Sequence, residues 1–495
     1  MIDNLLDMMQ DDSCILDNGF VAAPGWSLLA ITLYRHSSLF SGVWQVFFVA
    51  FSHKDLSTLP TIPMDRRYFI KTTSAGIAAS AAFSAMPLMG IARQQATYKV
   101  ALIGSGWWGM NILGEAMASG RSKVVAMADV DKNQLMPALE KVEKLTGNKP
   151  KPYTNYKEML QKEKPEIVIV ATPDHWHALA AIDALKSGAH VYCEKPICHT
   201  INEGKAMVKA AQSTGKVVQI GLHRRASPHN ISANEFLRSG KAGKIGSVKC
   251  FINYGGGPGS ITPNSEAPEG MDWDMYCGPA QLVPFNKTIH PRGFRQHLNF
   301  ANGTISDWGV HWFDQVLWWT EEKAPKRIYS SATRRIREDS TDAADTQLAV
   351  FEFESFTMHW ENRNYAGNRQ EGPAVGCYFY GTEGVLHLGW TDGWTFYPVD
   401  KNKEIVHVDP VLHEPDQQNI KELWTDFLKV IESKGQTINP MINGQLATNI
   451  SLLAMVSAKA GRSIEWDGDK QEVINDPEAN KLLSREYRKG YEYPV

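Results

Sequence analysis

Residues Tyr98–Gly109 read Y-K-V-A-L-I-G-S-G-W-W-G, a short apolar run that ends in three glycines spaced G-x-G-x-x-G. Few local patterns restrict a fold so strongly. After Lys99, the run Val100–Ile103 is apolar, with β-branched Val100 and Ile103, as suits a strand buried on both faces. Met110–Ala118 can follow as a helix. Glycines between a strand and a helix allow a tight turn and a close backbone approach to a pyrophosphate, which the helix N-terminus stabilises. The spacing therefore predicts the first turn of a dinucleotide-binding α/β domain, with Gly104, Gly106, Trp107, Trp108 and Gly109 against the cofactor.

A second strand, Val124–Ala128, ends at Asp129, twenty residues beyond Gly109. A carboxylate there accepts hydrogen bonds from the adenosine ribose hydroxyls and repels a 2′-phosphate, so NAD is favoured over NADP. The competing role for Asp129 is a helix N-cap. The alternation then continues: a strand at Glu166–Ala171, a helix at His177–Ser187, a strand at His190–Cys193, a helix at Ile201–Ser213 and a strand at Val217–Ile220. This is the pattern of an α/β Rossmann domain, a doubly wound parallel sheet, over residues 97–222.

From about Leu222 the pattern changes. A helix is expected over 230–239, then strand-like runs at Ser247–Tyr254, Gln347–Glu354, Thr357–Glu361, Cys377–Tyr380 and Gly384–Leu388. Strands that follow alternating β/α units read as a separate α+β domain, here residues 223–412. Gly255–Pro263, rich in Gly, Pro and Ser, reads as a loop. Two amphipathic segments, Ile420–Ile431 and Gln445–Lys459, are expected to pack back on the first domain within a C-terminal portion, 413–495.

Three further segments carry chemistry. Ala171-Thr-Pro-Asp-His-Trp-His177 follows the third strand, and Glu194-Lys195-Pro196 follows the fourth. Asn302-Gly-Thr-Ile-Ser-Asp307-Trp-Gly-Val-His311 contains G-x-x-x-D-x-x-x-H. Together with the Gly-rich turn, they resemble the glucose–fructose oxidoreductase / inositol 2-dehydrogenase / rhizopine catabolism family, Gfo/Idh/MocA, over roughly residues 98 to 490. The resemblance implies an open, mostly antiparallel second sheet and a sugar or glycoside bound between it and the nicotinamide. It gives Lys195 contact with the nicotinamide ribose and the reacting hydroxyl. It makes Asp307 and His311 the rest of the catalytic set, with His311 as general base. Thr172 and Pro173 lie against the cofactor on the same basis. It also implies a homo-oligomer.

The residue types suit the task. Oxidising a carbinol requires hydride transfer and removal of the hydroxyl proton; a neutral imidazole serves the second near pH 7. A lysine ammonium stabilises the developing alkoxide. Asp307 and His311 stand four residues apart, so on one helix they share a face and can hydrogen-bond. His175 and His177 are expected to cap the next helix or line the cofactor pocket beside Glu194, and no metal site is expected from them. Candidate sugar contacts are Arg224, Trp273, Tyr276, Arg292, Trp308 and Trp312. Arg224 follows the last strand of the first domain and is expected to point into the cleft.

A non-catalytic NAD- or sugar-binding protein is disfavoured because Lys195, Asp307 and His311 are all present, and two functions remain. One is an oxidoreductase acting on a sugar carbinol. The other is a redox-neutral glycosidase or epimerase that oxidises the sugar transiently. The intact E-K-P segment favours the first. A formal net charge of −3 over 495 residues points to neither nucleic acid nor an anionic membrane surface.

Ahead of the fold, Met64–Lys71 reads M-D-R-R-Y-F-I-K, and a mildly apolar, Ala-rich run follows to Ala92. Arg66, Arg67, Phe69 and Lys71 fit a twin-arginine signal over 64–96, which would deliver the folded protein to the periplasm through the twin-arginine export machinery. An exported NAD enzyme must carry its cofactor and recycle it, and this consideration favours the redox-neutral function. Met64 is expected to be the true start, with residues 1–63 a disordered, mis-called extension. Six cysteines without a C-x-x-C pair do not form a disulfide framework. Five remain after the leader, an odd number.

Overall fold

The computed structural model describes residues 26–35, 44–52, 96–367, 370–413 and 418–495. The chain divides into two compact units, Met1–Arg93 and Gln94–Val495. In the first, β1 (Trp26–Arg35) and β2 (Trp44–Ser52) pair antiparallel, a pairing not suggested by a stretch without clear periodicity. The twin-arginine segment and its apolar run, Met64–Ala92, lie outside the described residues.

The second unit begins with the predicted parallel sheet. Its strands are β3 (Tyr98–Ile103), β4 (Ser122–Ala128), β5 (Lys151–Tyr153), β6 (Ile167–Val170), β7 (His190–Cys193) and β8 (Val218–Ile220), in the order β5-β4-β3-β6-β7-β8 and all parallel. The order reverses between β3 and β6, so the loops after these two strands face each other across a crevice at the carboxyl edge, where such sheets bind ligands. β6 is buried at every position, as a strand covered by helices on both faces must be. Helix Asp174–Lys186 begins three residues earlier than the sequence pattern suggests, because Pro173 stands as its N-cap and presets the turn.

The remaining strands build one ten-stranded sheet: β9 (Ile245–Asn253), β10 (Arg327–Thr333), β11 (Thr346–Glu352), β12 (Thr357–Arg363), β13 (Val375–Gly381), β14 (Gly384–Gly389), β15 (Trp394–Pro398), β16 (Val406–Val408), β17 (Ile464–Asp467) and β18 (Glu472–Val473). All pairs are antiparallel except β9 with β12. The α+β architecture expected for this half is therefore present. β10 and β15–β18 had no clear sequence signature; three of them are four residues or shorter.

The C-terminal portion does more than return to the first domain. In helix Ile420–Ser433, the residues Ile420, Leu423, Trp424, Phe427 and Leu428 form a helical stripe. They complete the core beneath Val100, Leu102, Ile112 and Tyr192. Asn439 then adds an edge to β8: its carbonyl accepts from the N–H of Ile220, and its Nδ2 donates to the Leu222 carbonyl. Beyond helix Met441–Ala460, β17 joins the large sheet alongside β10. One continuous core therefore runs from the first sheet into the second.

Candidate active site

The carboxyl edge of the parallel sheet opens on a cavity of about 790 Å³. Gly104, Gly106, Trp107, Trp108, Gly109, Asp129, Thr172, Pro173, His177, Glu194 and Lys195 all line it, as do Tyr276 and Arg292 from the second domain. The glycine requirement is local and steric. Gly104 has φ +92°, and a Cβ there would lie 2.6 Å from the Ala171 carbonyl oxygen. Asp129 secures the turn: its Oδ2 accepts from the Ser105 N–H at 2.7 Å and the Ser105 hydroxyl at 2.9 Å. Burial raises its pKa above the ordinary carboxylate value despite these bonds. The N-cap of the next helix is Asp131, so Asp129 is not needed for that role.

A dinucleotide fits the side chains present. Gly106 opens on empty space, with nothing within 4 Å of a Cβ built there. Thr172 Oγ1 is buried with no protein partner, and Thr172 lines the cavity. Orphaned buried polar atoms of this kind mark a position for a ligand group. Burial pushes the Glu194 carboxyl up to about 7, against the lowering influence of Lys195. Asp174, buried at the same end of the cavity, also rises to about 7 through burial.

His177 and His175 are both buried, and both serve main-chain groups. The two ring nitrogens of His177 each lie 2.7 Å from a carbonyl oxygen, that of Pro196 and that of Thr172, and the neutral ring donates its one N–H to one of them, between the E-K-P turn and the A-T-P turn. His175 Nε2 bonds the Tyr276 carbonyl at 2.8 Å and does not line the cavity.

Lys195 follows β7, and its Nζ donates to the Asp307 carbonyl at 2.8 Å and to Asp307 Oδ1 at 3.0 Å. Arg295 Nε donates to the same Oδ1 at 2.9 Å. Burial disfavours charge on Asp307, but Lys195 and Arg295 outweigh it and hold the carboxyl below its ordinary range. Asp307 lies in a π-helical turn, Ile305–Gly309, that leads into helix Val310–Thr320. The wider turn corrects the single-helix expectation: Asp307 faces Lys195 and Arg295, and no hydrogen bond joins it to His311. Single π turns inside helices are frequent at functional sites.

His311 is 5% exposed, and its Nδ1 has no protein partner. Its ring centroid lies 5.0 Å from Trp390 and 5.3 Å from His223. Burial first, then Lys195 and His223, push its pKa well below the ordinary histidine value, so the ring is neutral at pH 7. A neutral ring is what a proton acceptor requires.

The six proposed sugar contacts separate. Trp308 is half-buried and stands 4.8 Å from Trp390 and 6.3 Å from His311. Arg292 lines the cavity over Trp107. Tyr276 is buried, but its hydroxyl has no partner. Trp273 stacks on Tyr276 and donates to the Val283 carbonyl. Trp312 is fully buried. Arg224, expected in the cleft, is 2% exposed and wedged against the rings of Trp312 and Trp390. Its guanidinium donates to Asn230 Oδ1 and to the carbonyls of Gly389 and Trp390. The physical reason is a 3-10 turn at His223–Ala226, which turns His223, not Arg224, toward His311.

Three residues of the site carry no motif in the sequence. His223 has no partner at either ring nitrogen. Its only sequence signal was its place just after β8. Trp390 and Arg295 come from segments with no motif of their own.

A Rossmann crevice beside a lysine, a buried carboxylate and a neutral histidine defines a nicotinamide-nucleotide oxidoreductase. Comparison with known proteins places it more narrowly. Residues 98–222 match "Oxidoreductase family, NAD-binding Rossmann fold". Residues 281–387 match "GFO/IDH/MocA C-terminal domain", and 395–493 match "Oxidoreductase family, C-terminal alpha/beta domain". The chain belongs to the Gfo/Idh/MocA family of oxidoreductases.

Among curated relatives, the rhizopine catabolism protein MocA of Rhizobium meliloti is 26% identical over 48% of this chain and 62% of its own length. Inositol 2-dehydrogenase of Salmonella typhimurium is 29% identical over 30% of this chain and 44% of its own. The chain thus spans less than two thirds of either. A glycosyl hydrolase family 109 protein of Shewanella sp. is 30% identical over 31% of this chain and 35% of its own. Solved folds agree. Levoglucosan dehydrogenase, complexed with NADH and levoglucosan, superposes with a TM-score of 0.59 at 18% identity, covering 74% of this chain and 99% of that one. The aldose-aldose oxidoreductase of Caulobacter crescentus gives 0.55 at 18% identity, with 74% and 99% coverage.

Proposed function

We propose that this protein is an NAD-dependent oxidoreductase acting on a carbinol of a sugar or glycoside. The observation that carries this reading is the approach of Lys195, at the cofactor crevice, to Asp307 and His311, which come from a second, distant segment. When bound, NAD supplies the hydride acceptor. His311, held neutral, takes the hydroxyl proton. Lys195, oriented by two bonds to Asp307, stabilises the developing negative charge on the carbinol oxygen. Trp308 and Trp390 stand beside His311 and give it apolar ring neighbours. Asp129 supports NAD over NADP, because a 2′-phosphate would meet a carboxylate.

The second reading is a redox-neutral glycosidase or epimerase that oxidises the sugar and then returns the hydride. The glycosyl hydrolase family 109 relatives favour it. The Arg66–Arg67 leader supports export to the periplasm with the cofactor aboard, where either function must recycle it. A further expectation, assembly into a homo-oligomer, rests on the family.

The test is a glycoside panel incubated with protein purified from Met64, with bound nucleotide identified by mass spectrometry. A ketosugar with accumulating NADH supports the dehydrogenase. Released aglycone without net NADH supports the redox-neutral reading. Protein that neither carries nucleotide nor binds it at millimolar concentration refutes both. Detection of the uncleaved leader only in the cytoplasm refutes export.

A further inference from the structure

We propose that Arg292, carried by the second domain, is a ligand of the dinucleotide pyrophosphate. The assignment rests on the reading of this crevice as an NAD site. In a Rossmann domain the pyrophosphate lies at the first helix N-terminus, here Trp107–Ala118. That end carries free N–H groups, a positive partial charge and no side-chain cap, and the space in front of Gly106 is open.

The glycine loop brings no cation of its own. Ser105, Trp107 and Trp108 are neutral, and the Ser105 hydroxyl already donates to Asp129. A pyrophosphate brings two negative charges, which partial helix charge alone offsets incompletely. Among the cations that line the cavity, Lys195 and Arg295 are engaged with Asp307, Lys157 lies 3.5 Å from Asp183, and Lys186, unengaged among the described residues, stands at the C-terminal end of helix Asp174–Lys186. Arg292 differs from these. Its guanidinium carbon stands 5.5 Å from the Trp107 ring centroid, and no salt bridge or hydrogen bond engages it among the described residues. An arginine stacked on an indole keeps its edge N–H groups free for two phosphate oxygens.

The position of Arg292 is held. His290, two residues earlier, donates from Nε2 to Asp131 Oδ2 at 2.8 Å. Farther back in the same excursion, the carbonyl of Gly270 accepts from the Lys132 N–H, and the Asp272 N–H donates to the Val130 carbonyl. Asn133 Nδ2 reaches the Glu269 carbonyl. The excursion is thus docked on the cofactor domain just past β4, beside the ribose-binding carboxylate of Asp129. From there Arg292 reaches the mouth of the glycine loop. A nucleotide so held touches both domains, so its release requires more than opening the Rossmann loop.

Calorimetric titration of the whole protein with adenosine, ADP-ribose and NAD tests this. Adenosine carries no phosphate. Arg292→Ala is expected to weaken ADP-ribose and NAD by about tenfold or more, the scale of a lost charge-assisted hydrogen bond, and to leave adenosine unchanged. The salt dependence of ADP-ribose binding should fall in the same variant, and Arg292→Lys should restore part of the affinity. Unchanged ADP-ribose binding in Arg292→Ala overturns the assignment. So does an equal loss for adenosine, which would mark a disturbed excursion. If the unaltered protein binds none of the three, the dinucleotide reading itself falls and takes this proposal with it.

Discussion

Lys195 Nζ donates at once to the main-chain oxygen and to the carboxylate of Asp307, at 2.8 and 3.0 Å. The lysine is therefore held by the backbone of a π turn as well as by charge. Its head group cannot swing without breaking both bonds, and this fixed orientation suits it to meet a developing alkoxide.

Lys195→Ala is expected to lower kcat by about 100-fold or more, the scale of losing one preorganised electrostatic contact. NAD binding should stay within a few-fold. Steady-state kinetics with the glycoside identified in the panel, together with a nucleotide titration, would check this. Retained turnover would refute the role of Lys195.

His311 offers a test by pH. Its burial, with Lys195 and His223 nearby, depresses the ring pKa well below the ordinary value of 6.5. The ring is then already neutral at pH 6, so kcat/KM should show no histidine inflection near 6.5 from this residue. An inflection there that disappears in His311→Gln would show that the ring titrates near its ordinary value and is not held neutral by its surroundings.

Glu194 and Asp174 make stability depend on pH in the opposite sense from a salt-bridged carboxylate. Burial raises both to about 7, whereas in the unfolded chain such groups titrate near 4. Between roughly pH 4 and pH 7, the folded protein retains protons that the unfolded chain has released. The contribution of these two carboxyls to stability should fall as pH rises through this window, and their penalty should be complete above about pH 7. Buried histidines whose pKa values are lowered, among them His175, His177 and His223, contribute the opposite slope up to about pH 6.5, so the carboxyl effect is read as a difference between variants. Glu194→Gln, a neutral isostere, should gain melting temperature relative to the unaltered nucleotide-free protein as pH rises from 5.5 to 8; a difference that does not change with pH would show that Glu194 carries no such penalty.

Arg224 is predicted to matter for stability and not for ligand contact. It is buried, with three hydrogen bonds to Asn230, Gly389 and Trp390. Arg224→Leu leaves those acceptors unsatisfied and should cost about 2–4 kcal/mol in urea unfolding. Affinity for NAD should remain near that of the unaltered protein. A stable variant that had lost sugar affinity would restore Arg224 to the cleft.

Much of this architecture was legible before folding. The parallel sheet announces itself because buried strands, glycine turns and amphipathic helices are local patterns, each complete within about ten residues. Lys195, Asp307 and His311 were legible for the same reason: each belongs to a short motif. The rest depended on contacts far apart in sequence. Arg295, His223 and Trp390 share one site but come from three unmarked segments. Whether His223 or Arg224 faces His311 depends on one 3-10 turn, and whether Asp307 meets His311 or Lys195 depends on one π turn. Side-chain direction changes by about 100° per residue in a helix and differs again in tighter or wider turns, so a one-residue change in winding exchanges the side chain that reaches the cleft for its neighbour. That choice is made by packing against residues such as Trp312 and Trp390, through contacts that no local pattern encodes.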